Sequence, residues 1–326
     1  MNTRSAQLRQ MVGVLHFYLR FLLSFTQIGF VARRLFWPAF KVDFRGQHWL
    51  VTGGSGGLGR AVVYAALRGG ATVTVAARSA QKLSALSAEL AAAGLKGADT
   101  ECCDFTLVAD TDALLARLAA QGKPIDVLVN NVGVLNDELL VTPEGLEASF
   151  VSNLLSHYQL TEGLIARELL RARSAVVNVT SGGGYHFPLL AAMLNVTDPA
   201  RYSGVAAYGF HKRAQMVLNQ YWNTIHHDRG IDFYVMHPGW ADTAGVQRSL
   251  PRFRELLKSI LRDAEAGMDT ITWLVAHRPA QPAGELVWFD RKIRPAHVYA
   301  HTRHTTESGQ SLAKTLQQYL LDHKKS

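Results

Sequence analysis

Tyr208 and Lys212 stand four residues apart, more than a hundred residues after a glycine-rich run, Thr52-Gly53-Gly54-Ser55-Gly56-Gly57-Leu58-Gly59. On a helix, residues four apart share a face, so the Lys212 ammonium can approach the Tyr208 phenol. A phenol titrates near ~10, and a neighbouring cation favours the phenolate and draws that value toward neutral pH. Such a pair can give a proton to a carbonyl oxygen or take one from an alcohol. The glycine run suits a dinucleotide. Its glycines permit a tight turn and close approach of backbone to a pyrophosphate, whose charge meets the start of the next helix. Thr52, Gly53, Ser55, Gly57, Leu58 and Gly59 are the cofactor contacts expected there. Taken singly, the pair also reads as a core tyrosine beside an exposed lysine, and the run as a flexible turn.

The elements that must position these groups are legible as short apolar runs alternating with helices. Strands are expected at Gln47–Thr52, Thr72–Ala77, Asp99–Cys103, Ile125–Asn130, Ala175–Thr180, Ile231–Met236 and Glu285–Phe289. Helices are expected at Gly57–Arg68, from about Ser79 to Ala93, and at Thr106–Gln121, Pro143–Leu170 and Val205–Asp228. Runs of this kind imply an α/β fold, a doubly wound parallel sheet of about seven strands covered on both faces. No Pro/Gly linker divides residues 46–290, so they read as one domain. A carboxylate about 20 residues beyond the glycines would bind a ribose hydroxyl and select NAD. The chain has Ala77-Arg78-Ser79 there, and a guanidinium can pair bidentately with a 2′-phosphate. The expected cofactor is NADP, with NAD less favoured.

The formal net charge of +8 sits at the two ends. Residues 1–45 carry +6 and residues 291–326 carry +5, leaving −3 for the body. That placement, with no nucleic-acid module beside it, argues against nucleic acid as a partner. Between Met11 and Val31 the chain is apolar except for a stripe of His16, Arg20, Ser24 and Gln27. Arg20 would cost about 2.5–3.5 kcal/mol at the centre of a spanning helix. Residues 1–45 are therefore expected to form an amphipathic helical extension, lying on a membrane surface or packing on protein. Residues 291–326 are expected to be a basic tail with a helix, its histidines 297, 301 and 304 solvated. Localisation is expected to be cytoplasmic and peripheral to a membrane. Cys102 and Cys103 are adjacent and offer neither a disulfide framework nor a ligand set. His226-His227 has no partners at metal spacing, so no metal site is expected.

With Asn130-Asn131-Val132-Gly133, Phe150-Val151-Ser152-Asn153, Asn178-Val179-Thr180-Ser181 and His237-Pro238-Gly239-Trp240 added, the chain from about Gln47 to Phe289 resembles the short-chain dehydrogenase/reductase family. The resemblance implies a Rossmann-type fold and hydride transfer between nicotinamide and a carbonyl or alcohol. It implies that Tyr208 is the acid–base residue and that Lys212 supports the phenolate and binds the nicotinamide ribose. Ser181 would hold the reacting oxygen, and Asn153 would fix a water beside the lysine. By the same resemblance Asn131, Pro238, Gly239 and Thr243 line the cofactor, and Asp104 meets the adenine ring. It also implies a homodimer or homotetramer paired through the helices that carry Asn153 and Tyr208. The 26 residues between Ser181 and Tyr208 are similar in length to the retinol-dehydrogenase-like group. His211 departs from the serine or asparagine usual before the lysine. Phe187, Leu189, Leu190 and Met193, with Val246, Leu250 and Phe253, are expected to wall a pocket for a bulky or lipid-like substrate. The alternative class is a dinucleotide-binding or scaffold protein without turnover, against which the intact Ser181, Tyr208 and Lys212 argue.

Overall fold

Five consecutive buried residues make β1, His48–Thr52, and similar runs make β2 (Thr72–Ala77), β4 (Val127–Asn130), β5 (Ala175–Val179) and β6 (Asp232–Met236). Strands buried on both faces need helices above and below, and the parallel pairing supplies the crossovers that carry them. With β3 (Ala98–Cys102), β7 (Leu286–Phe289) and β8 (Lys292–Pro295), the computed structural model has one eight-stranded sheet in the order β3-β2-β1-β4-β5-β6-β7-β8. It describes residues 19–242 and 251–323; Thr243, Val246, Leu250 and the first part of the N-terminal apolar run lie outside them, as does the side chain of Phe253.

All pairs are parallel except β7 with β8, which are antiparallel. The eighth strand is short, polar and mostly exposed, so it lacks the apolar run that marks the others. On one face lie α2 (Gly57–Arg68), α3 (Ala80–Ala92) and α8 (Ala264–His277); α7 (Pro251–Leu257) precedes α8 in the chain. On the other lie α4 (Val108–Gln121), a helix α5 over residues 148–166, and α6 (Gly204–Ile225). Strand order reverses between β1 and β4, the place where an open α/β sheet leaves a crevice at its carboxyl edge.

The last helix, α9 (Gly309–His323), belongs to the core and not to a solvated tail. It buries Leu312, Ala313, Leu316 and Leu320, sets Tyr319 against Phe150, and accepts at Gln317 a hydrogen bond from Tyr158. It thus lies over α5 and α6, on the helices expected to pair with a second copy. His297 is likewise held, by Glu285 and Thr302.

The N-terminal segment is not one helix. Residues 19–25 are helical, the chain bends at Thr26, and α1 (Gln27–Arg34) follows. At the corner a methyl on Gly29 would fall 2.1 Å from the Leu23 carbonyl oxygen, so only glycine lets the two pieces cross. Phe25 and Phe30 are buried against the domain, while Leu19, Leu23, Ile28, Val31, Leu35 and Phe36 face outward.

Candidate active site

β1 delivers Thr52 to the sheet edge and α2 starts at Gly57, with the glycine run between them. Gly53 has φ +65°, and a methyl on Gly59 would fall 2.4 Å from the Gly53 carbonyl oxygen, so both positions need glycine. No side chain caps the start of α2, and Gly56 faces open space. First-turn N–H groups left in this way fit a pyrophosphate. Thr52 and Asn131 brace the turn from behind. The Thr52 hydroxyl donates to the Val129 carbonyl at 3.2 Å and accepts from the backbone N–H groups of Asn131 and Val132 at 2.9 and 3.0 Å. The Asn131 amide donates to the Thr52 carbonyl at 2.9 Å. The Leu58 side chain is turned into the core against Gly267. Arg78 is exposed at the end of β2, and no carboxylate accompanies it at Ala77–Ser79. One oxygen of Asp104 is taken by the N–H and hydroxyl of Thr106.

The acid–base group assembles from β5, α5 and α6. A methyl on Gly183 would stand 3.7 Å from both the Ser181 hydroxyl oxygen and the Tyr208 ring, so those two side chains flank one point. The Lys212 ammonium lies 5.4 Å from the Tyr208 ring centroid and donates to the Val179 carbonyl at 3.0 Å. A methyl on Gly133 would sit 3.3 Å from both Lys212 Nζ and Asn153 Oδ1, which brings the asparagine to the lysine as well. Asn153 lies in a π turn, Val151–Leu155, and its side chain is clamped to Val134, accepting from the N–H at 2.7 Å and donating to the carbonyl at 2.8 Å.

Burial, not the lysine, governs the phenol. Tyr208 is pushed above its ordinary value by burial, partly offset by its hydrogen bond with Ser181. Lys212 is itself lowered to about 7 by burial, so it is a weaker cation than its spacing implies.

Three residues that sequence reasoning did not assign complete the surroundings. His211 donates from Nε2 to the Leu194 carbonyl at 2.7 Å, and its Nδ1 faces the Asn153 amide at 3.4 Å. His157 donates from Nε2 to the Val132 carbonyl at 2.9 Å and accepts from Gln215 at 3.0 Å. Gln215 also donates to the Asn153 carbonyl at 2.6 Å. Only the unusual histidine before Lys212 gave any signal in the sequence. Of the residues expected to wall the substrate, Leu189 is core and Phe187 packs on Phe210, leaving Leu190 the most exposed among those described.

Burial lowers His211 to about 4 and His157 to about 3, from 6.5. Below pH 6.5 the unfolded chain therefore holds more protons than the folded one, and stability falls as pH drops through that window. The cofactor-free protein should show a Tm that declines from pH 6.5 to pH 4, less steeply in His211→Asn. A thermal-shift series with equal slopes for the two proteins would remove His211 as a source.

Comparison with known proteins agrees with this geometry. Residues 47–252 match the family model described as short chain dehydrogenase. The chain is 32% identical over 286 residues to dehydrogenase/reductase SDR family member 12 of Bos taurus, covering 85% of this chain and 87% of that protein. It is 28% identical to retinol dehydrogenase 12 of Mus musculus, covering 61% and 63% of the two chains. A short chain dehydrogenase from Burkholderia cenocepacia J2315, solved in complex with NADP, superposes with a TM-score of 0.57 at 22% identity, covering 72% of this chain and 92% of that one. Fold, family model and relatives converge: the chain belongs to the short-chain dehydrogenase family and is an oxidoreductase working on a carbonyl–alcohol pair with a nicotinamide cofactor.

Proposed function

We propose that the protein is an NADP(H)-dependent reductase or dehydrogenase for a bulky, apolar carbonyl or alcohol, attached peripherally to a membrane. The observation that carries the reading is the convergence of Ser181 and Tyr208 on one point, with Lys212 and Asn153 beside them, at the same carboxyl edge of the sheet as the uncapped start of α2. The nicotinamide would supply or accept the hydride. Ser181 holds the substrate oxygen near Tyr208, whose hydroxyl gives or receives the proton. Lys212 would steady the phenolate and reach the ribose hydroxyls, and Asn153 would order a proton path behind the lysine. Backbone at Gly53–Gly59 would hold the pyrophosphate of the dinucleotide and backbone at Pro238–Gly239 its nicotinamide end.

Arg78 is the residue expected to read the 2′-phosphate, since it is exposed at the strand end, where Ala77 and Ser79 flank it in place of a carboxylate. Arg78→Ala should weaken NADPH binding at least ~10-fold in calorimetric titration, a loss of about 1.4 kcal/mol, and leave NADH nearly unchanged. Equal losses for the two dinucleotides would exclude the assignment.

The outward face of the N-terminal segment supports the membrane reading. Leu35 and Phe36 are 78% and 87% exposed and stand beside exposed Arg34. Inserted apolar side chains contribute about 1.5–3 kcal/mol each, and a basic residue near anionic lipid adds about 1 kcal/mol. The full chain should float with phosphatidylserine-containing liposomes at low salt, and the Leu35→Glu/Phe36→Glu variant should stay in the soluble fraction. A wild-type chain that never floats contradicts attachment.

A further inference from the structure

The N-terminal segment packs against the turn after Ser181 as well as presenting an outer face, and Phe25 lies at that contact. Phe25 is buried where the segment bends. Its ring lies 4.7 Å from His237, 5.8 Å from Trp240, 5.1 Å from Phe289 and 6.4 Å from Tyr185, centroid to centroid. A methyl on Gly182, the neighbour of Ser181, would fall 2.7 Å from the Phe25 ring. The Phe25 carbonyl accepts from the Trp240 N–H at 2.8 Å and from Arg262 Nε at 2.9 Å. A methyl on Gly239, at φ +77°, would fall 2.7 Å from that same oxygen. Glycine at 182 and at 239 thus answers the space that Phe25 fills.

We infer that Phe25 is a positioning residue of the oxidoreductase site: its ring backs the turn after Ser181, and its carbonyl fixes the Pro238–Trp240 backbone that would hold the nicotinamide end. The inference rests on the cofactor reading above. It makes residues 19–34 part of the frame of the site, so that one segment would both face the membrane and set the nicotinamide pocket. The physical basis is the packing of the loop. Residues 237–240 leave the sheet edge at β6, and Phe25 joins them to the Ser181 turn by ring contacts and by a backbone hydrogen bond. Removing the ring leaves a cavity into which the loop and the turn can shift independently. Of the glycine run, Leu58 meets the far side of the same loop, standing with Pro238 and Ala241 around Gly267, whereas Arg78 stands apart at the end of β2, so the adenosine end should sense the change far less.

The test compares binding of the whole dinucleotide with binding of its adenosine half. In Phe25→Ala the Kd for NADPH should rise about tenfold, equal to about 1.4 kcal/mol, while that for 2′,5′-ADP stays at the wild-type value. kcat should fall with it, because the Ser181 turn loses its backing. Phe25→Leu, which keeps most of the volume, should give an intermediate ratio, and it carries the test if the alanine variant does not fold. A merely structural role would lower Tm and leave the ratio of the two dissociation constants unchanged, and that result overturns the inference. If the wild-type protein binds NADH instead, the cofactor reading fails at Arg78, and the same ratio taken with NADH and AMP still decides the role of Phe25. The Leu35→Glu/Phe36→Glu variant should keep the wild-type ratio whether or not it floats, and a changed ratio there would place the effect in the whole segment and not in Phe25.

Discussion

Tyr208→Phe is expected to lower turnover by ~10²–10⁴-fold while NADPH affinity stays nearly unchanged. The substitution removes one hydroxyl from a ring whose packing beside Gly183 is otherwise retained. Loss confined to kcat would mark an interaction made in the transition state, whereas a loss in KM alone would mark ordinary binding. Because burial raises the Tyr208 phenol and lowers Lys212 to about 7, the wild-type pH profile should carry the lysine's step near neutral pH and the phenol's well above it. The assay uses whichever carbonyl the wild-type protein reduces in a panel of steroids, retinoids, quinones and medium-chain aldehydes. A Tyr208→Phe protein with normal turnover would remove the residue from the chemistry. Wild-type protein that binds NADPH and consumes none across the panel would favour the dinucleotide-binding alternative.

The parts of this site that were legible in the sequence are those whose signal is local. β2 and α2 run over the residues that periodicity and flanking turns predict, because each buries a continuous apolar run or stripe. Helix spacing placed Lys212 beside Tyr208, and the glycine run placed the turn. What stayed hidden depends on residues far apart in the chain. The π turn at Asn153 lies in a run buried all round, so no periodicity marks it. Its support comes from Gln215 and His157, read only once α6 is laid against α5. The spacing of Tyr208 and Lys212 suggested a phenol lowered by a cation, but spacing carries no burial, and burial turned out to be the larger effect on both groups. The polar stripe of the N-terminal run left two settings open, a membrane surface or packing on protein. In the fold Arg20 lies over the Tyr299 ring, and the backbone carbonyls of Ser24 and Phe25 are taken by Arg262, more than two hundred residues away.

Asp290→Asn is expected to cost about 3–5 kcal/mol of stability, the range for breaking a buried ion pair by removing one partner. Asp290 and Arg262 are almost fully buried and pair through two contacts, at 2.6 and 2.9 Å, and Arg33 of α1 pairs with the same carboxylate. The remaining Arg262 donors go to the carbonyls of Ser24, Phe25 and Pro238. One guanidinium thus ties the N-terminal segment, the loop after β6 and the end of β7 together, each donor with an acceptor. Asparagine is the informative replacement because Asp290 has φ +48°, a region that asparagine tolerates and alanine does not. It keeps the shape and removes the charge, leaving two arginines facing a neutral amide. Urea unfolding of the full chain, followed by tryptophan fluorescence, measures the loss as a lower midpoint at unchanged m. Since the pair fixes the segment that carries Phe25, Asp290→Asn should also loosen NADPH binding at temperatures where the protein is still folded. A shift in stability below about 1 kcal/mol would mean that the pair behaves as a solvent-screened surface contact, and that residues 19–34 are held by their aromatic packing and by the backbone hydrogen bonds of Phe25 and Gln27.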